Sequence, residues 1–91
     1  MKTIWKYPLL EADEQTLNLP KNAQILTIQN QKENPCLWAL VNPKNETEPR
    51  TILCRGTGHD LDDKNCTLHY ISSMQLYDGD LVFHWFEKLS I

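Results

Sequence analysis

Leu68-His-Tyr-Ile-Ser-Ser-Met-Gln-Leu-Tyr-Asp-Gly-Asp-Leu-Val-Phe-His-Trp-Phe-Glu87 decides the fold class. Two runs rich in β-branched and aromatic residues flank Asp78-Gly79. Asp-Gly is a strong hairpin signal because both residues tolerate positive φ. Counting outward from the turn places His84 opposite residue 73. His69 and His84 are therefore not direct neighbours. The second run, Leu81 to Phe86, is apolar on both faces, as in a strand covered on both sides.

The same grammar extends toward the N-terminus. Pro8, Pro20, Pro35, Pro43 and Pro49 punctuate the first half of the chain, and Gly56, Gly58 and Gly79 the second. The pattern predicts strands near 2–8, 15–19, 23–31, 36–42, 50–56, 67–76 and 80–88. About seven short, mainly antiparallel strands at such spacing predict an all-β barrel or sandwich. Residues 10–18 are the one helix candidate. Turns are expected at Leu19-Pro20-Lys21-Asn22-Ala23 and at Lys32-Glu33-Asn34-Pro35. Cys36 to Val41 is the second doubly apolar strand. These two strands place Trp38, Phe83, Trp85 and Phe86 in a core or an interface. Trp38 and Trp85 are assigned to a subunit boundary, so a homo-oligomer is expected.

With 91 residues the chain forms one domain, residues 1–91, with a modest core. An apolar fraction of 41% and a charged fraction of 23% describe a globular chain. A net charge of −3 argues against general nucleic-acid binding, which needs a basic face. The three cysteines are odd in number and form no CxxC pair, so neither a disulfide framework nor a zinc knuckle is indicated. With no apolar signal core and no membrane-length run, a cytoplasmic protein with reduced thiols is expected. No membrane association and no cofactor are expected.

The chemistry-bearing residues concentrate at 55–63. Arg55, Gly56, Thr57, Gly58 and His59 could form an anion pocket, with glycine N–H groups close to the ligand and Arg55 supplying charge. Trp5 and Tyr7, on one face of the first strand, could add a stacking platform. The same residues could equally make a turn with a solvated arginine. His59, Asp60, Asp62 and Asp63 could hold a metal or act as acid and base, although adjacent residues on one loop rarely converge on a metal. Asp60, Asp62 and Asp63 could instead face a protein partner. No nucleophile motif and no catalytic residue are identified.

The ordered series Lys2-Thr-Ile-Trp-Lys-Tyr-Pro-Leu9, Leu19-Pro20, Pro35-Cys-Leu-Trp-Ala-Leu-Val41, Gly56-Thr-Gly-His59, Tyr70-Ile71 and Leu81-Val-Phe-His-Trp-Phe-Glu87 resembles a family of small, mostly phage- and prophage-encoded proteins whose domain has no known function. It spans nearly the whole chain and departs from the family pattern at Asp80, where a smaller residue is expected. The resemblance implies a β-rich domain and carries over no catalytic residue. The expected function is a non-enzymatic accessory protein that sequesters a small ligand, such as a nucleotide immune signal, or masks a host antiviral-defence protein. The alternatives are a small metal-dependent hydrolase at His59–Asp63 and a structural virion or prophage protein.

Overall fold

The computed structural model describes residues 1–61, 66–76 and 78–90. Among them are seven strands: β1 (Thr3–Pro8), β2 (Glu14–Pro20), β3 (Gln24–Gln31), β4 (Asn34–Val41), β5 (Thr47–Gly56), β6 (Cys66–Leu76) and β7 (Leu81–Ser90). They form two antiparallel sheets, ordered β1-β4-β3 and β2-β5-β7-β6. The Cα envelope measures 41 × 35 × 16 Å. Its short axis is that of two facing sheets roughly 10 Å apart. The all-β sandwich expected from the strand pattern is therefore present.

The helix candidate at 10–18 is corrected: residues 14–20 form β2. Gln15, Leu17 and Leu19 recur at period two, and pairing with β5 sets Leu17 beside Arg50. Alternation along a sheet outweighs the weak helical propensity of so short a segment.

The turns follow their residues. Asn22 takes φ 66°, and the Ala23 N–H donates to Pro20 O at 3.1 Å. Lys32 and Glu33 lie at φ 51° and 69° between the closing pair Gln31 and Asn34. That hairpin places two side-chain-bearing residues in a region where glycine or asparagine is at ease. Asp78 and Gly79 both have positive φ, at 55° and 92°. The last strand pair is Leu76 with Leu81, so the connection is longer than a two-residue hairpin loop. Ser73 faces His84, as counting from the turn predicts.

Leu37, Ala39 and Val41 of β4 meet Ile52 and Trp85 of the opposite sheet in one core with Leu19 and Ile28. Two contacts bind the sheets beyond this packing. At the first, the Ser72 hydroxyl donates to Ile28 O at 2.6 Å and accepts from the Ile28 N–H at 3.2 Å. One side chain thus satisfies two buried main-chain groups on the free edge of β3. Each partner strand breaks register nearby, between Ile25 and Thr27 in β3 and between Tyr70 and Ser72 in β6. Such bulges re-aim side chains at sheet edges.

At the second, Glu87 is only 4% exposed, on the inward face of β7 beside Ile52. Arg50 donates to both of its carboxylate oxygens through Nε and Nη2, and a third donor, Nη1, reaches Ala23 O at 2.9 Å. The Glu87 hydrogen bond raises the Arg50 guanidinium above its ordinary value, against the opposing effect of burial.

Ser72→Ala strands both Ile28 groups and is expected to cost about 2–3 kcal/mol in urea unfolding, with Ser72→Thr largely preserving stability. Glu87→Gln should cost about 3 kcal/mol, whereas the double replacement Arg50→Met with Glu87→Leu should recover most of it. A single Glu87 change as benign as the double would contradict this account.

Candidate functional site

The end of the sandwich where β4 and β7 begin is open. Four short segments converge there: the β1–β2 connection, the Lys32–Glu33 turn, the end of β6 and the start of β7. Between them lies a cavity of about 250 Å³. Its inner wall is apolar, formed by Pro35, Cys54, Met74, Phe83 and Trp85. Leu76 and Leu81 line it further, as do the acidic residues Glu11, Asp13 and Glu33. Those three acidic residues are exposed, while Pro35, Met74 and Trp85 are buried, so the cavity runs from a charged mouth to an apolar floor.

The mouth is held in place by main-chain hydrogen bonds. The Gln15 amide donates to Leu10 O and accepts from the Leu10 N–H, both at 2.9 Å. Leu9 N–H donates to Pro35 O at 2.9 Å. Asp13 O accepts from the Cys54 N–H at 2.9 Å and from Arg55 Nη1 at 2.8 Å. Glu33 is carried by the two-residue turn whose backbone is strained.

Trp85 is 3% exposed, and its indole N–H has no acceptor among the described residues. A buried donor without a partner carries a desolvation cost of about 1–3 kcal/mol. Trp85 was expected at a subunit boundary; it lies in the core, facing the opposite sheet, because it shares the inward side of β7 with Phe83 and Glu87. Trp38 points the other way, half-buried on the outer face of its sheet.

Cys54 also lines this cavity. Burial first, and Asp13 second, push its thiol up to about 11, with Arg55 opposing.

The Gly-Thr-Gly loop has a different geometry from the one expected of an anion pocket. The N–H of Gly56 donates to His59 Nδ1 at 3.3 Å, that of Thr57 to Val82 O at 3.2 Å and that of His59 to Gly56 O at 3.0 Å. Three loop donors are thus engaged within the chain. Arg55 Nη1 donates to two main-chain carbonyls, those of Asp13 and Cys54. Gly56 allows a close approach: a Cβ there would stand 3.0 Å from the His59 ring, which would have to move aside. Gly58 has φ +87° and open space around it, so its need is conformational. Trp5 and Tyr7 are on β1 of the other sheet, opposite Ala39 and Leu37. Asp60 is exposed, and Asp62 and Asp63 lie outside the described residues. No group of three or more potential metal-ligating side chains occurs among the described residues.

Beside the loop, a hydroxyl relay crosses the outer face of the four-stranded sheet. His84 Nε2 bonds Thr57 Oγ1 at 2.8 Å, His84 Nδ1 bonds Ser73 Oγ at 2.7 Å, and Ser73 Oγ bonds Tyr70 OH at 2.8 Å. Which hydroxyl donates to the ring depends on the tautomer. The register of 73 with 84 was legible in the sequence; Thr57 arrives from another segment and was not. A second hollow, of about 260 Å³, adjoins Arg50, Glu87 and His69, but the first two are committed to each other.

Residues 1–90 match a family described as Domain of unknown function (DUF7352). No curated protein and no solved structure matches the chain.

A raised thiol pKa has two consequences. Alkylation of Cys54 by iodoacetamide, followed by mass spectrometry, should accelerate only as the pH nears about 11. Because the folded thiol holds its proton more tightly than the unfolded one, its contribution to stability is complete below the ordinary thiol range and is lost as pH rises through about 11. Rapid Cys54 alkylation at neutral pH would contradict the assignment.

Proposed function

We propose that this chain, which belongs to the DUF7352 family of domains of unknown function, is a non-enzymatic binding protein that sequesters a small molecule in the cavity at the open end of its sandwich. One observation carries the reading: a roughly 250 Å³ largely apolar hollow lined by Pro35, Met74, Phe83 and the buried Trp85, with the acidic residues Glu11, Asp13 and Glu33 around it. Concave, largely apolar sites with a few polar groups are the usual form of small-molecule pockets, and this one is slightly smaller than most. The Gly-Thr-Gly loop supports ligand binding less well, since three of its donors are already engaged.

The resemblance to phage- and prophage-encoded proteins supports an accessory role, in which the bound molecule is a host metabolite or signal withdrawn from use. Capture without turnover suits the thiol lining it, since Cys54 is held in its protonated form.

The test is native mass spectrometry of the purified domain after incubation with a bacterial small-molecule extract. Wild type should retain a discrete adduct. Leu76→Trp, which adds bulk at a half-buried position lining the cavity, should fold and lose it. No adduct on wild type, or the same adduct on folded Leu76→Trp, would refute the proposal.

A further inference from the structure

We infer that the outer face of the four-stranded sheet carries a hydroxyl nucleophile, Thr57, which accepts an acyl group from activated esters with His84 as its base. The site is separate from the cavity and does not depend on the binding reading. Strand register assembles it. The Thr57 N–H donates to Val82 O at 3.2 Å, which carries the β5–β7 ladder one pair past Gly56 and Phe83. Thr57 therefore falls on the same sheet face as Arg55 and stands diagonal to His84, a spacing that side chains bridge. From the other side, Ser73 is the direct cross-strand partner of His84. The β6 register break between Tyr70 and Ser72 lets Tyr70 share that face with Ser73, three residues away in place of two, and its OH bonds Ser73 Oγ at 2.8 Å.

The geometry is that of a nucleophile, a base and a group that orients the base. Thr57 Oγ1 lies 2.8 Å from His84 Nε2, and His84 Nδ1 lies 2.7 Å from Ser73 Oγ. With the ring protonated at Nδ1, that nitrogen donates to Ser73 and Nε2 is left to take the Thr57 proton. Thr57 is the nucleophile because the Ser73 oxygen is shared between His84 and Tyr70. Tyr70 in turn packs edge-to-face on Phe86, ring centroids 5.7 Å apart, which anchors the far end of the relay. Thr57 is exposed and His84 half-buried, so an ester can reach the hydroxyl while the base stays in place. The N–H of Gly58, next after the nucleophile, has no acceptor among the described residues, and a Cβ at Gly58 would meet nothing within 4 Å. A main-chain donor in that position, with open space beside it, suits a tetrahedral oxyanion. In the step, Thr57 Oγ1 bonds the acyl carbon as its proton passes to Nε2. The acyl C–O bond then breaks, and Nε2 returns the proton to the departing alcohol. The products are acyl-Thr57 and the free alcohol. Phosphoryl donors fit less well, since their charged oxygens call for cations. Arg55, the cross-strand partner of His84, gives Nη1 to the carbonyls of Asp13 and Cys54.

The probe is p-nitrophenyl acetate in mildly alkaline buffer. Nitrophenol release is followed by absorbance, and the acetyl group is located by peptide mass spectrometry. Wild type should carry acetyl on Thr57 beyond the chemical background on lysines, cysteines and the N-terminus. Thr57→Val, which keeps the side-chain shape, should lose that label, and Thr57→Ser should keep it. His84→Gln should slow Thr57 acetylation by about a hundred-fold or more, the usual contribution of a positioned base. Ser73 is a positioning residue: Ser73→Ala should slow acetylation and move the nitrogen-15 signals of the His84 ring, and Ser73→Thr should restore both. Circular dichroism establishes that each variant is folded. Folded wild type labelled only at lysines, cysteines or the N-terminus would overturn the inference. So would an unchanged rate at Thr57 in folded His84→Gln, or in folded Ser73→Ala with unmoved ring signals. None of these results would touch the binding role of the cavity.

Discussion

The Arg50–Glu87 pair is the constraint from which the architecture is best understood. Glu87 occupies the inward face of β7, two residues beyond Trp85 and four beyond Phe83. A carboxylate there is intolerable alone and acceptable only with a partner that supplies charge and directed donors. Arginine meets that demand because its planar fork addresses both carboxylate oxygens and still has a donor to spare. The spare donor goes to Ala23 O, at the entrance to β3. One guanidinium therefore joins β5 to β7 within one sheet and that sheet to the other. A one-residue slip of β5 against β7 would turn Arg50 outward and leave Glu87 buried and unpaired. The pair thus favours this register more than it adds net stability.

Sheet edges impose the second constraint. A free edge exposes unpaired N–H and C=O groups that must be capped, covered or left to water. On one side of the sandwich, Ser72 answers for Ile28, and bulges in β3 and β6 accompany the approach. On the other side, β1 carries Ile4 and Trp5 at 56% and 41% exposure. Lys6 interrupts that edge and reaches Gln31 at 2.6 Å, a charge placed where an unprotected strand would otherwise invite pairing.

Local information sufficed for the strands and most turns. Period-two alternation placed the strands, and Asn22, Asp78 and Gly79 took the positive φ their chemistry allows. The helix reading of residues 10–18 failed because β2 is defined by what it pairs with, and a segment with two inward leucines carries too little periodicity to show that. The site was less legible for the same reason. Glu11, Glu33, Cys54 and Phe83 lie on four separate segments, and nothing local marks them as neighbours. Trp85 read as a boundary residue because its strand is apolar on both sides; only the register with Cys54 reveals which side faces the core. The Arg50–Glu87 pair did leave a trace. Alternation along Phe83, Trp85 and Glu87 puts an acid on the buried face, and a buried acid demands a cation. The glycine-rich loop drew the functional reading because its composition is conspicuous, yet the Gly56 position is filled by His59 from its own loop.

Two unfavourable features coincide at the open end of the molecule. The Lys32–Glu33 turn holds two non-glycine residues at positive φ, and the Trp85 N–H lacks an acceptor among the described residues. Each is a cost on the order of 1–3 kcal/mol, which is large against the stability of a domain this size. Simple remedies exist for both: Asn-Gly in the turn, and phenylalanine for the indole. Elsewhere among the described residues local chemistry serves the fold, as with Ser72 on the β3 edge and the doubly bonded Gln15. Local conflict gathered in one region is a physical mark expected of a working site. Here both conflicts border the same hollow, with Glu33 at its mouth and Trp85 on its wall.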